Sequence, residues 1–223
     1  MMERSFYSVL RQWLLAAFMV AVAPAGQASG LDSLDVFVKT TRSGRAAFTQ
    51  VVTSPARDGQ LARSKTSSGR FEFQRPGRFR FTYVKPFEQT IVADGQTLWL
   101  YDVDLNQVTA RKQDQVLGST PAALIAAAPD LKALQAEFDL KGMPDRDGLQ
   151  WVQATPRTRD GALQAVRVGL RVTDKGSELA VLDILDSFGQ RSVLTFTAFE
   201  LNPALTPGLF QFKPPAGADV IRP

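Results

Sequence analysis

The sequence predicts a mainly β protein, built as an antiparallel meander of about eleven short strands with three short helices in two places. Two observations predict this fold. Short runs of alternating apolar and polar residues, rich in β-branched and aromatic side chains, recur along most of the chain. The breaks between these runs are tight turns such as Asp94-Gly95, which are too short for the crossovers that parallel strands need. The length of 223 residues suits one domain.

The first 28 residues are predicted to be a cleaved secretory signal peptide, followed by a single domain over residues 29–223. Arg4 and Arg11 supply the positive charge, and the apolar run that follows is too short to span a bilayer comfortably. A retained N-terminal anchor is the alternative. We therefore expect an exported protein, located in the periplasm and without stable insertion into a membrane.

A short amphipathic helix is predicted over residues 31–41, because its apolar residues recur at helical spacing; Asp32 or Ser33 would cap it. A second helix is predicted over residues 122–128, where a threonine followed by a proline marks the start. A third is predicted over residues 130–138. The middle helix is apolar on all sides and rich in alanine, so it should be buried while filling little volume.

The strand predictions follow the alternating runs, interrupted only by the helical region in the middle of the chain. The alternation is clearest over residues 166–173, which give one apolar and one polar face. The predicted strands are residues 47–53, 70–74, 79–83, 90–93, 97–101, 107–111, 149–155, 165–173, 178–186, 191–199 and 209–213.

Composition argues against most enzyme classes, because the chain has no cysteine and no histidine. Thiolate and histidine metal sites, cysteine nucleophiles and histidine bases are thereby excluded. No cofactor is expected. Asp102 with Asp104, or Asp183 with Asp186, could act as an acid–base pair, but these residues fall at turns and strand ends. The net charge of +4 is small, and the basic residues are not grouped in a stripe, so nucleic acid is not an expected partner.

One face of the predicted sheet is unusually aromatic. A wide, twisted sheet covered by thin helices can leave an apolar cavity that holds a lipid or another apolar ligand. Plain hydrophobic core is the alternative interpretation. The residues assigned to this face are Phe71, Phe73, Phe79, Phe81, Tyr83, Leu98 or Trp99, Leu100 and Trp151.

Arg75 has the same strand parity as Phe71 and Phe73, so an unbroken strand would direct its guanidinium to the apolar side. A buried charge is costly unless it is hydrogen-bonded, and the carbonyls at a helix C-terminus can accept such bonds. Arg75 is therefore a candidate latch between the sheet and a covering helix. The alternative is that Pro76 ends the strand and the side chain turns into solvent.

These motifs together resemble the LolA family of periplasmic lipoprotein carriers. The similarity spans nearly the whole predicted mature chain, although residues 142–189 carry no motif of their own. The matching runs are residues 47–50 (AFTQ), 73–76 (FQRP) with 79–81 (FRF), 91–101 (IVADGQTLWLY), 119–121 (STP) with 124–126 (LIA), and 210–220 (FQFKPPAGADV). Arg78 departs from the family pattern, in which a neutral or apolar residue is usual.

The resemblance implies an incomplete, unclosed antiparallel β-barrel with an α-helical lid over a hydrophobic cavity. In this family the arginine of the Arg-Pro motif, here Arg75, holds the lid closed by hydrogen bonds. The lid residues that it implies here are Ile125 and Ala126 from one helix and Leu34 and Val38 from the N-terminal helix. It also places Phe79 at the mouth or wall of the cavity and Leu124 among the lining residues.

The resemblance further implies that the protein is a monomeric carrier, not an enzyme. It would receive lipoproteins from the inner-membrane LolCDE transporter, shield their acyl chains, and pass them to the LolB receptor. A LolB-like receptor is disfavoured because the chain lacks a cysteine that could be lipidated. A LolA-fold paralogue that binds or senses another lipid is the main alternative, and a small outer-membrane barrel is disfavoured by the internal helices.

Overall fold

The computed structural model describes residues 29–56, 61–116, 128–158 and 163–222. These ranges contain three helices, α1 (Gly30–Thr40), α2 (Gln113–Val116) and α3 (Leu131–Glu137). The strands are β1 (Ser43–Ser54), β2 (Arg63–Gln74), β3 (Arg78–Lys85), β4 (Gln89–Asp94), β5 (Thr97–Asp102), β6 (Gln107–Lys112), β7 (Phe138–Arg146), β8 (Leu149–Pro156), β9 (Leu163–Thr173), β10 (Gly176–Asp186), β11 (Arg191–Leu201) and β12 (Asp219–Ile221).

All twelve strands belong to one sheet, in the order β12-β6-β5-β4-β3-β2-β1-β11-β10-β9-β8-β7. Each neighbouring pair is antiparallel except β12, which runs parallel to β6. Strands β7 and β12 form the two edges, and no pairing joins them within the described ranges, so the sheet is not closed. The predicted mainly β fold with an unclosed antiparallel sheet is confirmed, with twelve strands where the sequence predicted about eleven.

Helix α1 begins one residue earlier than predicted, and its cap is neither Asp32 nor Ser33. Ser29 is the N-cap: its hydroxyl accepts from the backbone N–H of Asp32, and the Asp32 carboxylate accepts from the backbone N–H of Ser29. Gly30 follows because a Cβ there would lie 2.3 Å from the backbone carbonyl oxygen of Trp151. The start of α1 therefore lies directly against β8.

One predicted strand is wrong, and two strands of the sheet were not predicted. Residues 209–213 have no ladder partner, since 209 and 210 lie in a turn and 211–213 have no regular secondary structure; the last strand is instead Asp219–Ile221. The prediction also missed β7, because its outward residues are mostly polar and Pro144 lies within it, as is common at a sheet edge. Helix α3 ends at Glu137, since Phe138 already has extended backbone angles. The predicted helix at residues 122–128 lies outside the described residues except for Ala128.

The two faces of the sheet differ in what covers them. We call the face that packs against α1 the inner face and the opposite one the outer face. Side chains alternate between these faces along each strand. The large hydrophobic cluster lies on the inner face and includes the buried side of α1, made of Leu34, Phe37 and Val38.

Candidate functional site

A wall of phenylalanine rings lines the inner face where β2 and β3 pair. Phe71 lies opposite Phe81 and Phe73 lies opposite Phe79 in the antiparallel register. The Phe71 and Phe81 rings stack with their centroids 4.4 Å apart, and Phe71 and Phe73 stack at 5.7 Å. All four side chains are buried. The sequence alternation thus placed these four residues on one face, as expected.

Helix α1 covers one side of this wall. Its contacts are with β7 to β10 and with α3, and Leu34, Phe37 and Val38 are fully buried beneath it. Phe37 reaches the wall, with its ring centroid 6.1 Å from that of Phe73. The structure therefore shows a closed arrangement, in which the aromatic wall is packed.

Tyr83 marks the end of the apolar part of the inner face. Its hydroxyl donates to Oε1 of Gln50 at 3.0 Å, and Nε2 of Gln50 donates to the Ser192 hydroxyl at 2.8 Å. Burial raises the pKa of Tyr83 to about 12. A cavity of about 470 Å³ begins here and extends to the turns, lined partly by Lys65 and Phe87. The inner face thus changes from aromatic to polar at Tyr83.

The other predicted lining residues divide into three groups. Leu98 is half-buried and packs against the main core, and Leu100 is half-buried on the same face, opposite Ile91. The assignment of Trp151 to this face is wrong. The remaining predicted residues, Leu124, Ile125 and Ala126, lie outside the described residues.

Trp151 lies on the outer face, in a small cluster with Leu149 and Ala180. Its indole N–H donates to the carbonyl of Arg146 at 3.1 Å, and the Arg146 guanidinium lies 4.8 Å from its ring centroid. Its neighbour Val152 is the residue of β8 that enters the main core. The sequence showed that Trp151 would be buried, but it did not show on which face.

Arg75 directly follows β2 and is only 8% exposed. Its Nε donates to the carbonyl of Thr41, the C-cap residue of α1, at 2.9 Å, and an Nη donates to the carbonyl of Ala128. Its guanidinium carbon lies 5.2 Å from the ring centroid of Phe37 and 5.3 Å from that of Phe73. The side chain thus turns inward and connects the end of α1 to the segment that contains Ala128.

The environment of Arg75 is costly for a charge. Burial, followed by the nearby positive charge of Arg42, lowers the pKa of Arg75 to about 10. The guanidinium remains protonated at neutral pH, so its hydrogen bonds to carbonyls are charge-assisted. The bonds to the carbonyls of Thr41 and Ala128 contribute to offsetting the loss of hydration.

Asn202, which the sequence analysis missed, also meets the end of α1. Its Nδ2 donates to the carbonyl of Thr40 at 3.0 Å, and its Oδ1 accepts from the backbone N–H of Arg42 at 2.6 Å and of Ser43 at 3.2 Å. The only sequence signal was the Asn202-Pro203 pair, which is typical of a turn.

Of the four carboxylates considered as acid–base pairs, Asp102, Asp183 and Asp186 have structural partners. Asp102 accepts from the backbone N–H of Leu105, and Asp186 accepts from those of Phe188 and Gln190, as turn caps. Within the described ranges, no group of three or more acidic, cysteine or histidine residues could hold a metal ion. No helix in those ranges is long and apolar enough to cross a membrane.

The sheet is unclosed, and its aromatic inner face is covered by α1 and by the segment that Arg75 connects to α1. This arrangement is typical of one class of protein, the β-sheet carriers of apolar ligands. Residues 39–213 match the family described as "Outer membrane lipoprotein carrier protein LolA". The match covers most of the chain, which therefore belongs to the LolA family.

Two relatives extend this match over nearly the whole chain. An outer-membrane lipoprotein carrier protein from Albidiferax ferrireducens is 70% identical, covering 92% of this chain and 96% of the relative. One from Methylibium petroleiphilum is 53% identical, covering 95% and 97%. Among solved structures, a LolA superfamily protein from Nitrosomonas europaea aligns with a TM-score of 0.47 and 12% identity, covering 83% of this chain and 99% of that one.

Proposed function

We propose that this protein carries outer-membrane lipoproteins by sheltering their acyl chains against the inner face of the sheet. Membership of the LolA family and the name shared by relatives that match over nearly their whole length support this role. They also favour it over a paralogue devoted to another lipid. The observation that carries the proposal is the Arg75 contact between α1 and Ala128, beside the phenylalanine wall.

The carrier must bind acyl chains firmly enough to keep them from water and weakly enough to release them. Each buried methylene contributes about 0.8 kcal/mol. Sheltering about ten methylenes would therefore give roughly 8 kcal/mol, which corresponds to micromolar binding. Full burial of three acyl chains would bind far more tightly and would prevent release.

We call α1 together with the segment that contains Ala128 the cover. In this proposal, the free energy needed to open the cover opposes the binding of acyl chains. Acyl chains can reach the wall only after the segment at Ala128 moves away and breaks its bond to Arg75. Because the guanidinium then loses partners in a poorly hydrated site, opening is unfavourable and lowers the net affinity. Ile125 and Ala126 would belong to the moving cover, with Leu124 lining the cavity, while Leu34 and Val38 belong to the covering face of α1.

The proposed setting follows from the family and the N-terminal sequence. Residues 1–28 would direct export and be removed, leaving a monomeric domain from residue 29 in the periplasm. The carrier would receive lipoproteins from the LolCDE transporter and deliver them to the LolB receptor. The role is binding and transfer, without catalysis.

The test is native mass spectrometry of protein purified from the periplasm, followed by lipid extraction and by uptake of a synthetic triacylated lipopeptide. We expect co-purified acyl lipid or lipoprotein and a one-to-one lipopeptide complex. Phe79→Ala, in the wall, should weaken uptake at least tenfold, whereas Phe188→Ala, which removes an exposed ring, should not. A clean ligand-free mass together with no lipopeptide uptake would contradict the proposal.

A further inference from the structure

The end of α1 is held by side chains from both strands that flank β1. β1 lies between β2 and β11 in the sheet. Arg75, after β2, donates to the carbonyl of Thr41, and Asn202, after β11, donates to that of Thr40. These carbonyls have no partner within the helix itself, so each bond satisfies a group that would otherwise be free.

The two side chains differ in what else they touch. Arg75 also donates to Ala128, on a separate segment. The bonds of Asn202 all lie at the corner where α1 turns into β1: its side chain accepts from Arg42 and Ser43, and its backbone N–H donates to the carbonyl of Ser43 at 2.9 Å. Breaking the Arg75–Ala128 bond therefore leaves the bonds of Asn202 intact.

The residue type suits the position. Asn202 has a φ of +52°, in the left-handed region that asparagine tolerates better than most residues. Its amide offers donors and an acceptor together, which the carbonyl of Thr40 and the two N–H groups require. Aspartate would keep the acceptor but would place an oxygen against the Thr40 carbonyl.

We propose that Asn202 is a positioning residue that holds α1 on the sheet independently of Arg75, so that only the Ala128 side of the cover opens for a ligand. The fixed start of α1 agrees with this, since Gly30 lies against the β8 backbone and the Ser33 hydroxyl donates to Gln150. The ligand half of this inference rests on the proposed carrier function. We call the contact of Asn202 with the end of α1 the clamp, and this part of the inference does not depend on the carrier function.

Hydrogen–deuterium exchange of the last turn of α1, residues 37–41, tests the clamp in the empty protein. Asn202→Gly keeps the left-handed backbone and removes the side-chain bonds. We expect these amides to exchange roughly tenfold faster, because the variant loses three side-chain hydrogen bonds, of which the one to Thr40 holds the helix directly. Arg75→Leu removes the one bond to Thr41 and should raise exchange by no more than about threefold, because the three side-chain bonds of Asn202 remain.

Asn106→Gly is the matched control. Asn106 also has a positive φ, of 47°, and its Nδ2 donates to a backbone carbonyl, that of Gly217, but it lies in the β5–β6 turn. Its replacement should leave the exchange of α1 unchanged. If Asn202→Gly does not fold, Asn202→Asp keeps the acceptor, loses only the bond to Thr40, and should show a smaller increase in the same amides. Unchanged exchange in α1 of an Asn202 variant would overturn the clamp.

Loading with a triacylated lipopeptide tests whether the cover opens only at the segment that contains Ala128. We expect exchange to rise over residues 128–134 while residues 37–41 stay protected, and to rise in both regions in Asn202→Gly. Equal loss of protection in both regions of the unmodified protein would overturn the inference. Failure to bind the lipopeptide would count against the carrier function, and the empty-protein comparison would still decide whether Asn202 clamps α1.

Discussion

Arg75 and Asp183 are both buried charges, but they lie on opposite faces of the same sheet. Asp183, on the outer face of β10, accepts from Nε and Nη2 of Arg191 at 2.8 and 3.0 Å and from Arg167 at 3.5 Å. These partners lie on the two neighbouring strands. Arg75 instead donates to the backbone carbonyls of Thr41, the C-cap residue of α1, and of Ala128, which precedes α3.

The two buried sites also differ in the direction in which the pKa of their arginine is shifted. The hydrogen bond and the charge of Asp183 raise the pKa of Arg191, whereas burial lowers that of Arg75. The bonds of Asp183 join three neighbouring strands of the sheet. The carbonyls of Thr41 and Ala128, to which Arg75 donates, lie outside the strands. The buried charge of Asp183 thus stabilises the sheet, whereas that of Arg75 joins α1 to the segment that contains Ala128.

The largest effect on stability is expected in the wall beneath the cover. Phe71→Ala should lower the free energy of unfolding by about 4 kcal/mol, because it leaves a void in a packed aromatic cluster. Urea denaturation measures the loss. Phe188→Ala, at an exposed ring, should change it by less than about 0.5 kcal/mol. A loss below about 2 kcal/mol for Phe71→Ala would mean that the wall is not packed core.

On the outer face, Asp183→Ala should cost about 2 kcal/mol of stability, since it removes charge-assisted bonds whose arginine partners can still turn to solvent. Lipopeptide uptake should be unchanged, because no part of the cover is touched. Asp104→Ala, at an exposed turn, is the control for charge alone. A transfer defect in Asp183→Ala with intact stability would remove the distinction between the two charges.

Tyr83→Phe should cost about 1 kcal/mol near neutral pH, the value of one neutral hydrogen bond to Gln50. The raised pKa of Tyr83 makes its contribution fully present below pH 10 and lost as the pH rises through about 12. Denaturation at pH 9 to 12 should show this fall in the unmodified protein and in Tyr101→Phe. Persistence of the same fall in Tyr83→Phe would assign it to other groups.

The smallest effect on stability is expected for Arg75→Leu, within about 1 kcal/mol, because the lost hydrogen bonds are offset by removing a poorly hydrated charge. Thermal or urea denaturation of the empty protein measures it. A loss of about 3 kcal/mol or more would make Arg75 a structural residue like Asp183.

Much of this contrast was accessible from the sequence. Strand parity directed the four wall phenylalanines inward, and the tight turns required an antiparallel order. For Arg75, parity indicated the same face, but a strand that ended at Pro76 remained the alternative until the structure showed the side chain buried. Burial on both faces of β8 hid the orientation of Trp151, since alternation is informative only when one face is polar. Pairing at the edges depends on distant segments, so β7 and β12 were missed.

The residues at the end of α1 show the remaining limit. Asn202 lies about 160 residues from the helix that it holds, and no local pattern indicates that contact. The acceptor of Arg75 at Thr41 was likewise unspecified until the sheet order placed β1 between β2 and β11. Such contacts between distant segments require the three-dimensional fold.

In the proposed mechanism, Arg75 controls release rather than holding the protein together. The direct measurement is transfer of a bound lipoprotein from the purified protein to the proposed receptor, LolB, comparing Arg75→Leu with the unmodified protein and with Asp183→Ala. Arg75→Leu should load at least as readily yet release at least tenfold more slowly, while Asp183→Ala transfers normally. Normal loading and transfer by Arg75→Leu would contradict the account.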